Sequence, residues 1–297
     1  MTIRTLIQQA EAALVEHRVP NARRNAEWML CHVLGCSVLD LYVRTGEPGV
    51  EQVERYQEFV RRRCGREPLQ RILGTTEFMS LEFGICDGVF IPRPDTEVLV
   101  ETAERWLRSC PVDEPLRILD LGCGSGVIAV SLAVRVPNLE VWAVDAASEA
   151  VAATAGNAQA LGAGERVRVW PGDAAAFLES VADGAPERFT AIACNPPYIA
   201  TGELEGLPPE VRNHEPMAAL DGGADGLDAY RELIPKLAAR LIPGGLAIFE
   251  IGDAQARAVS GMLAAEEFTD VDVFQDYAGR DRVVAALRRR EGDGNHG

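Results

Sequence analysis

Apolar residues recur at helical spacing through the first seventy positions. Over residues 3–18 the stripe is Ile3, Leu6, Ile7, Ala10 and Leu14. A second helix is predicted from Asn21, with Ala26, Met29, Leu30, Val33 and Leu34 on one face and Gly35 as its stop. Leu39, Leu41 and Tyr42 begin a shorter element, which Pro48-Gly49 breaks, and residues 50–64 read as a further helix. The period then changes. Phe78, Leu81, Phe83, Ile85, Val89 and Phe90 suggest a strand pair turning at Cys86-Asp87-Gly88. Pro92-Arg93-Pro94 stiffens the chain, and Asp95 or Thr96 is placed to cap a helix reaching about Leu107.

From Pro115 onward short apolar runs alternate with helical patterns. Strands are predicted at 117–121, 140–144, 167–170, 189–194, 246–251, 269–275 and 281–288. Helices are predicted at 127–134, 147–161, 227–240 and 254–266. Pro243-Gly244-Gly245 is read as a turn, and residues 288–297 as a polar tail that frays. Alternation of this kind implies a mostly parallel sheet with helices on both faces. The expected organisation is a helical domain over 1–74, a hairpin linker over 75–94 and an α/β catalytic domain over 95–297.

Bulk composition narrows the class. The chain has 297 residues, 47% hydrophobic and 25% charged, and no run of eighteen apolar residues, so the expectation is a cytoplasmic protein without a membrane span or signal peptide. The net charge of −16 is uneven. Residues 1–74 hold eleven arginines against nine acids, whereas 75–297 hold eighteen basic against thirty-six acidic residues. The second part therefore repels polyanions at long range. Arg61-Arg62-Arg63 with Arg66 is either a small basic patch or a solvated helix end. The seven cysteines form no CxxC pair, and the four histidines are scattered. Buried free thiols and no metal site are expected.

Two motifs carry chemistry. Asp120-Leu121-Gly122-Cys123-Gly124-Ser125-Gly126 follows a strand and opens a helix, where glycines allow a tight turn and close approach to a ligand. The spacing is GxGxG, not the GxGxxG of pyrophosphate carriers, although the loop alone leaves dinucleotide binding open. Asp145 ends the next strand, nineteen residues past Gly126, where a carboxylate can accept both ribose hydroxyls. Asp173, after the third strand, is placed to accept from an adenine amino group. Cys123 reads as a small filler. The second motif, Asn195-Pro196-Pro197-Tyr198, closes the fourth strand. The lone pair of an amide or aryl amine nitrogen is delocalised, so a site acting on it must grip both N–H groups. The Asn195 side-chain oxygen and the Pro196 carbonyl supply two acceptors. The prolines stiffen the grip, and the Tyr198 ring offers a stacking face. Both motifs together point to methyl transfer from S-adenosyl-L-methionine to a planar amide or amine nitrogen.

With these residues in place, the chain resembles the protein-(glutamine-N5) methyltransferases that modify peptide chain release factors. Arg66-Glu67-Pro68-Leu69-Gln70 with Ile72-Leu73-Gly74, Ile91-Pro92-Arg93-Pro94-Asp95-Thr96-Glu97, the cofactor loop and Asn195-Pro196-Pro197-Tyr198-Ile199 occur in that family's order. Glu215-Pro216, Ala219-Leu220, Gly222-Gly223, Asp225-Gly226-Leu227 and Tyr230-Arg231 fit the stretch that follows.

The resemblance implies a class I S-adenosylmethionine-dependent methyltransferase fold, a seven-stranded mostly parallel sheet whose last strand is antiparallel. It also implies a small all-helical N-terminal domain that helps bind the release factor. The substrate would be the glutamine of the Gly-Gly-Gln loop, and the products N5-methylglutamine and S-adenosyl-L-homocysteine. By that comparison Asp120, Gly122, Cys123, Gly124, Gly126, Asp145, Asp173, Ala174 and Asn195 line the cofactor site. Arg93, Glu97, Asn195, Pro196, Pro197 and Tyr198 line the substrate site. The partner is a release factor, met by a monomer, with no direct nucleic-acid substrate. Asn25 stands where aspartate is frequent in the family, Cys123 where threonine is, and Ala174-Ala175 where larger residues are.

Three rivals share parts of the pattern. A methyltransferase acting on a glutamine of a large-subunit ribosomal protein would use the same loop, but the N-terminal helices and the Arg-Pro-Asp-Thr-Glu segment favour the release factor. An adenine-N6 methyltransferase suits the loop chemistry equally, against the acidic charge of 75–297 and the lack of a separate target-recognition domain. A non-enzymatic adaptor would not need both loops intact.

Overall fold

The structure is a computed structural model, and it describes residues 1–43, 46–110, 115–180 and 184–290. The chain divides into two units, one of residues 1–76 with 208–214, the other of 77–207 with 215–297. Most of the expected fraying tail lies outside the described residues.

In the first unit the apolar stripes become helices α1 (Ile3–Glu16), α2 (Ala22–Leu34), α3 (Val38–Val43), α4 (Val50–Cys64) and α5 (Leu69–Leu73). Leu6, Ile7, Leu14, Met29, Leu30, Tyr56 and Phe59 form their common core. Thr2 caps α1 by accepting from Thr5 N, and Gly35 ends α2 at a left-handed φ of 60°. The Tyr56 hydroxyl donates to Ala26 O at 3.1 Å, joining α4 to α2 through the core. Asn25 is buried and uses both ends of its amide. Nδ2 donates to Pro20 O and Asn21 O, and Oδ1 accepts from Arg63 Nε at 2.8 Å. An aspartate could not make the first two bonds.

The hairpin is β1 (Thr75–Phe78) with β2 (Leu81–Gly84). Its turn falls at Met79-Ser80, both at positive φ (53° and 62°), and not at Cys86-Asp87-Gly88 as the sequence suggested. The turn is held from outside, because Glu97 accepts from Met79 N at 2.7 Å.

The second unit continues through α6 (Glu97–Ser109), β3 (Arg117–Leu121), α7 (Val127–Arg135), β4 (Glu140–Asp145), α8 (Ser148–Ala160), β5 (Val167–Pro171), α9 (Ala174–Glu179) and β6 (Phe189–Cys194). After α10 (Pro209–Arg212), which belongs to the first unit, come α11 (Asp228–Arg240), β7 (Leu241–Glu250), α12 (Ala256–Ala265), β8 (Phe268–Gln275) and β9 (Asp281–Arg288). The seven strands order as β5-β4-β3-β6-β7-β9-β8, parallel except for β9, which runs antiparallel to both β7 and β8. This is the class I methyltransferase fold. Residues 98–107 of α6 pack with α7, α8 and one sheet face, while α9, α11 and α12 cover the other. Burial on both faces explains why β6 is apolar except for Thr190, whose hydroxyl accepts from Arg117 N. Pro243-Gly244-Gly245 is not a turn before a strand. It lies inside β7 as an irregularity, where the pairing with β6 slips between Phe189 and Ala191.

Candidate active site

The strand order reverses at β3, with β4 on one side and β6 on the other, and a crevice opens beyond the C-terminal ends at such a point. Leu121 pairs with Cys194, so Gly122 and Asn195 leave the sheet side by side. Register alone thus brings the two sequence motifs together.

On the β3 side the loop is tied to β4. Gly122 N and Cys123 N both donate to Val144 O, and Gly124 N donates to Asp145 Oδ2 at 2.9 Å. Ala147 N holds the other Asp145 oxygen at 2.9 Å, so the carboxylate is fixed by two backbone donors. Gly122, Gly124 and Gly126 all have left-handed φ, at 71°, 55° and 82°. Their surroundings differ. A Cβ on Gly122 or Gly124 would meet nothing within 4 Å, whereas one on Gly126 would strike Thr154 at 2.9 Å. The first two glycines leave open space beside the backbone, and the third lets α7 pack on α8. Asn157 of α8 donates to Ser125 O at 2.8 Å and also pairs with the backbone of Gly84, so it braces loop and hairpin together.

Other positions expected on the cofactor side also make contacts within the fold. Asp120 is buried and accepts from Ala129 N in the first turn of α7 at 3.1 Å. Burial raises its carboxyl to about 7, against the lowering effect of that N–H. Asp173 is exposed and caps α9 by accepting from Ala176 N at 2.9 Å, which engages one oxygen. Ala174, half-buried, packs on the core beneath. Cys123 is buried, its thiol is pushed well up by burial, and it meets the Thr154 hydroxyl at 3.3 Å, consistent with an inert filler. All seven cysteines are free. Cys31, Cys123 and Cys194 are buried, but Cys86 is exposed, so the expectation of buried thiols holds only in part. No cluster of three metal-ligating side chains occurs among the described residues.

On the β6 side, Asn195 Nδ2 donates to Thr96 Oγ1 at 3.3 Å, so the amide presents Oδ1 away from Thr96. Among the described residues the carbonyl of Pro196 takes no hydrogen bond. Thr96 makes no side-chain cap for α6, contrary to the sequence reading; its buried hydroxyl serves the Asn-Pro-Pro-Tyr loop instead. The Tyr198 hydroxyl donates to Glu250 Oε1 at 3.3 Å, and Glu250, the last residue of β7, is 1% exposed. Gln255 Nε2 donates to Tyr198 O and to Gly226 O, each at 3.0 Å. Gly222 packs so tightly on the loop that a Cβ would lie 2.7 Å from Pro197 O. Arg93 ion-pairs with the buried Glu215 and lies over the Phe90 ring, while Glu97 is engaged at the hairpin turn. Glu250 and Gln255 escaped the sequence reading, and Thr96 was read only as a cap and as part of a motif. Their partners are remote in the chain, and no local pattern marks them.

Comparisons with known proteins identify the family. The PrmC N-terminal domain matches residues 5–74, and the methyltransferase small domain matches residues 96–206. A release factor glutamine methyltransferase of Geobacter sulfurreducens is 44% identical over 95% of either chain. Another, of Moorella thermoacetica, is 41% identical over 98% of this chain and 100% of its own. This chain belongs to the release factor glutamine methyltransferase family. Among solved structures, the hMettl16 catalytic domain in complex with MAT2A 3'UTR hairpin 6 matches with a TM-score of 0.54 at 15% identity, covering 82% of this chain and 83% of that one. At that identity the likeness is one of fold.

Proposed function

We propose that this chain transfers a methyl group from S-adenosyl-L-methionine to the side-chain amide nitrogen of the Gly-Gly-Gln glutamine of peptide chain release factors. The products are N5-methylglutamine and S-adenosyl-L-homocysteine. The observation that carries the reading is the Asn195 amide. Thr96 takes its N–H end, which leaves Oδ1 to accept a hydrogen bond beside the glycine loop.

The residues present fit the cofactor. The backbone at Gly122 and Gly124 borders open space, and Asp145 is fixed as an acceptor for ribose hydroxyls. Asp173, with one oxygen used in its cap, and Ala174 are assigned to the adenine end. When bound, S-adenosyl-L-methionine supplies an electrophilic methyl carbon on a sulfonium.

The chain's own residues do the rest. Asn195 Oδ1 and Pro196 O accept from the two N–H groups of the glutamine amide. This fixes the plane of the amide and stabilises the positive charge that grows on nitrogen as the methyl arrives. One amide proton is released. Pro196 and Pro197 restrict the loop before substrate binds, which lowers the ordering cost. The Tyr198 ring is held through its hydroxyl at Glu250 and its carbonyl at Gln255, ready to stack on the amide. Arg93, fixed by Glu215, is assigned to the substrate side, and Glu97 acts through the hairpin turn that it holds. The helices of the first unit are assigned to docking the release factor, with the enzyme acting as a monomer in the cytoplasm. Among the described residues no helix is long and apolar enough to cross a membrane.

The test is mass spectrometry of an unmodified release factor after incubation with the enzyme and S-adenosyl-L-methionine. One added methyl on the Gly-Gly-Gln glutamine supports the reading. No methyl there, with the cofactor bound, overturns it.

A further inference from the structure

We infer that Thr96 and Glu250 are positioning residues that decide which end of the Asn195 amide faces the substrate. This rests on the reading of Asn195 as an acceptor for the reacting amide. An asparagine amide has nearly the same shape either way round, yet only one orientation works. Oδ1 outward accepts from the substrate N–H, and Nδ2 outward opposes one NH2 group to another. The orientation must therefore be set from behind, by the partner of the inward end. That partner is Thr96 Oγ1, 3.3 Å from Nδ2 and 1% exposed.

A hydroxyl both donates and accepts, so Thr96 alone imposes no direction. Direction comes from Glu250. The Thr96 hydroxyl faces the Glu250 carboxylate and stabilises its charge, although Oε2 is buried without a close hydrogen-bond partner. An ionised Glu250 can only accept. It draws the Thr96 hydrogen toward itself, leaves a lone pair toward Asn195, and so selects the Nδ2-inward orientation. A protonated Glu250 can donate to Thr96 instead. The Thr96 hydrogen then points at Asn195 and selects Oδ1 inward, which presents the wrong end to the substrate. The same carboxylate holds the Tyr198 hydroxyl at 3.3 Å, so one buried group orients both ends of the Asn-Pro-Pro-Tyr loop.

The groups around Glu250 are Tyr198, Cys194 on β6, Tyr230 on α11, Arg282 on β9 and Asp95 ahead of α6. The Tyr230 hydroxyl donates to the Glu250 carbonyl at 2.8 Å, fixing the backbone from which the side chain projects. Arg282 favours the charged carboxylate and Asp95 opposes it, while burial raises the group to about 7. Loss of that charge on the acid side would remove the pull on the Thr96 hydrogen.

The experiment compares the full-length enzyme with Thr96→Val, Thr96→Ser and Glu250→Gln, using a release factor as substrate. Thr96→Val should lower kcat roughly 10- to 100-fold, as loss of one buried orienting hydrogen bond does, with S-adenosyl-L-methionine affinity unchanged. Thr96→Ser keeps the hydroxyl and should retain near-wild-type kcat. Wild-type kcat should fall on the acid side as Glu250 protonates, and Glu250→Gln should lower kcat and abolish that limb. A substrate-independent readout is the Asn195 side-chain N–H pair in a 1H–15N spectrum, identified by its loss in Asn195→Asp. It should move in Thr96→Val and stay in Thr96→Ser. Thr96→Val within twofold of wild type, Thr96→Ser as impaired as Thr96→Val, or an unmoved Asn195 signal would each overturn the inference. Failure of the wild-type enzyme to methylate the release factor would overturn the functional reading instead, and the Asn195 signal would still decide the positioning role.

Discussion

Gln255 Nε2 donates to the carbonyl of Tyr198 at 3.0 Å, tying the chain just after β7 to the last residue of the Asn-Pro-Pro-Tyr loop. The same nitrogen reaches Gly226 O, and Gln255 Oε1 accepts from Gly252 N, so a single amide clamps three backbone groups. Gln255→Ala leaves two carbonyls and an N–H without that partner. It should cost about 1–3 kcal/mol of stability and lower kcat on a release factor, with cofactor affinity preserved. Gln255→Glu should be worse, because a carboxylate would face two carbonyl oxygens. Thermal unfolding with steady-state kinetics reads both effects, and an unchanged kcat in Gln255→Ala would remove the clamp from the account.

Asn195→Ala removes one of two acceptors from the reacting nitrogen. Removing a single group that stabilises transition-state charge costs on the order of 10²–10³ in kcat. Asn195 lies beside Gly122 by register, outside the contacts that pin the loop to β4, so S-adenosyl-L-methionine affinity should hold. Isothermal titration with the cofactor and single-turnover methylation separate the two quantities. Turnover close to wild type would sink the assigned role.

Much of the second unit was legible because parallel strands buried on both faces read as short apolar runs, as β6 does. Pairing Leu121 with Cys194 then places the two motifs in one crevice. What was misread has a physical cause in each case. Met79-Ser80 is a turn without Gly, Pro, Asn or Asp, and Glu97 holds it from outside. Pro243-Gly244-Gly245 has the composition of a turn but sits as an irregularity within β7. Thr96 has the chemistry of a helix cap, yet its hydroxyl goes to Asn195, ninety-nine residues later. Hydrogen bonds between distant segments leave no periodic trace in a sequence.

The three loop glycines should separate by experiment. Gly124→Ala carries only the left-handed φ of 55°, a strain of about 1 kcal/mol, since its Cβ would meet nothing. Its effect should fall on cofactor affinity, where the new methyl enters the open space. Gly126→Ala adds a contact of 2.9 Å with Thr154 to a φ of 82°, and should cost more stability. Melting temperatures and cofactor titrations of the two variants provide the comparison. Equal destabilisation would mean that α8 yields to the added carbon.

Asp120 makes stability depend on pH in a direction opposite to most carboxylates. Its folded-state value is raised from 3.8 to about 7 by burial. The stability this protonated group contributes is complete below about 4 and is lost as pH rises through about 7. Asp120→Asn cannot ionise, and should flatten the decline of the melting temperature between pH 5 and 8. A slope identical to wild type would show that Asp120 does not titrate there.

Glu210 gives the reverse dependence in the first unit. It accepts from Arg63 at 2.8 Å and from Arg66 at 2.8 and 2.7 Å, and the Arg63 side chain is only 5% exposed. Burial opposes its charge, but the two guanidiniums outweigh this and hold the carboxyl down to about 2, from 4.5. Its stabilisation is therefore present above about 4.5 and lost as pH falls toward 2. Glu210→Gln keeps the shape but leaves a buried guanidinium without its counter-charge, a change of about 3 kcal/mol or more when a buried pair is broken from one side. The guanidiniums retain other acceptors, Arg63 at Asn25 Oδ1 and Glu67 O, and Arg66 at Arg18 O, so the helices should still assemble. Urea unfolding followed by circular dichroism at pH 7 and pH 3 should show a large loss in the variant at pH 7 and a smaller difference at pH 3. A loss equal at both pH values would assign the effect to packing instead of charge.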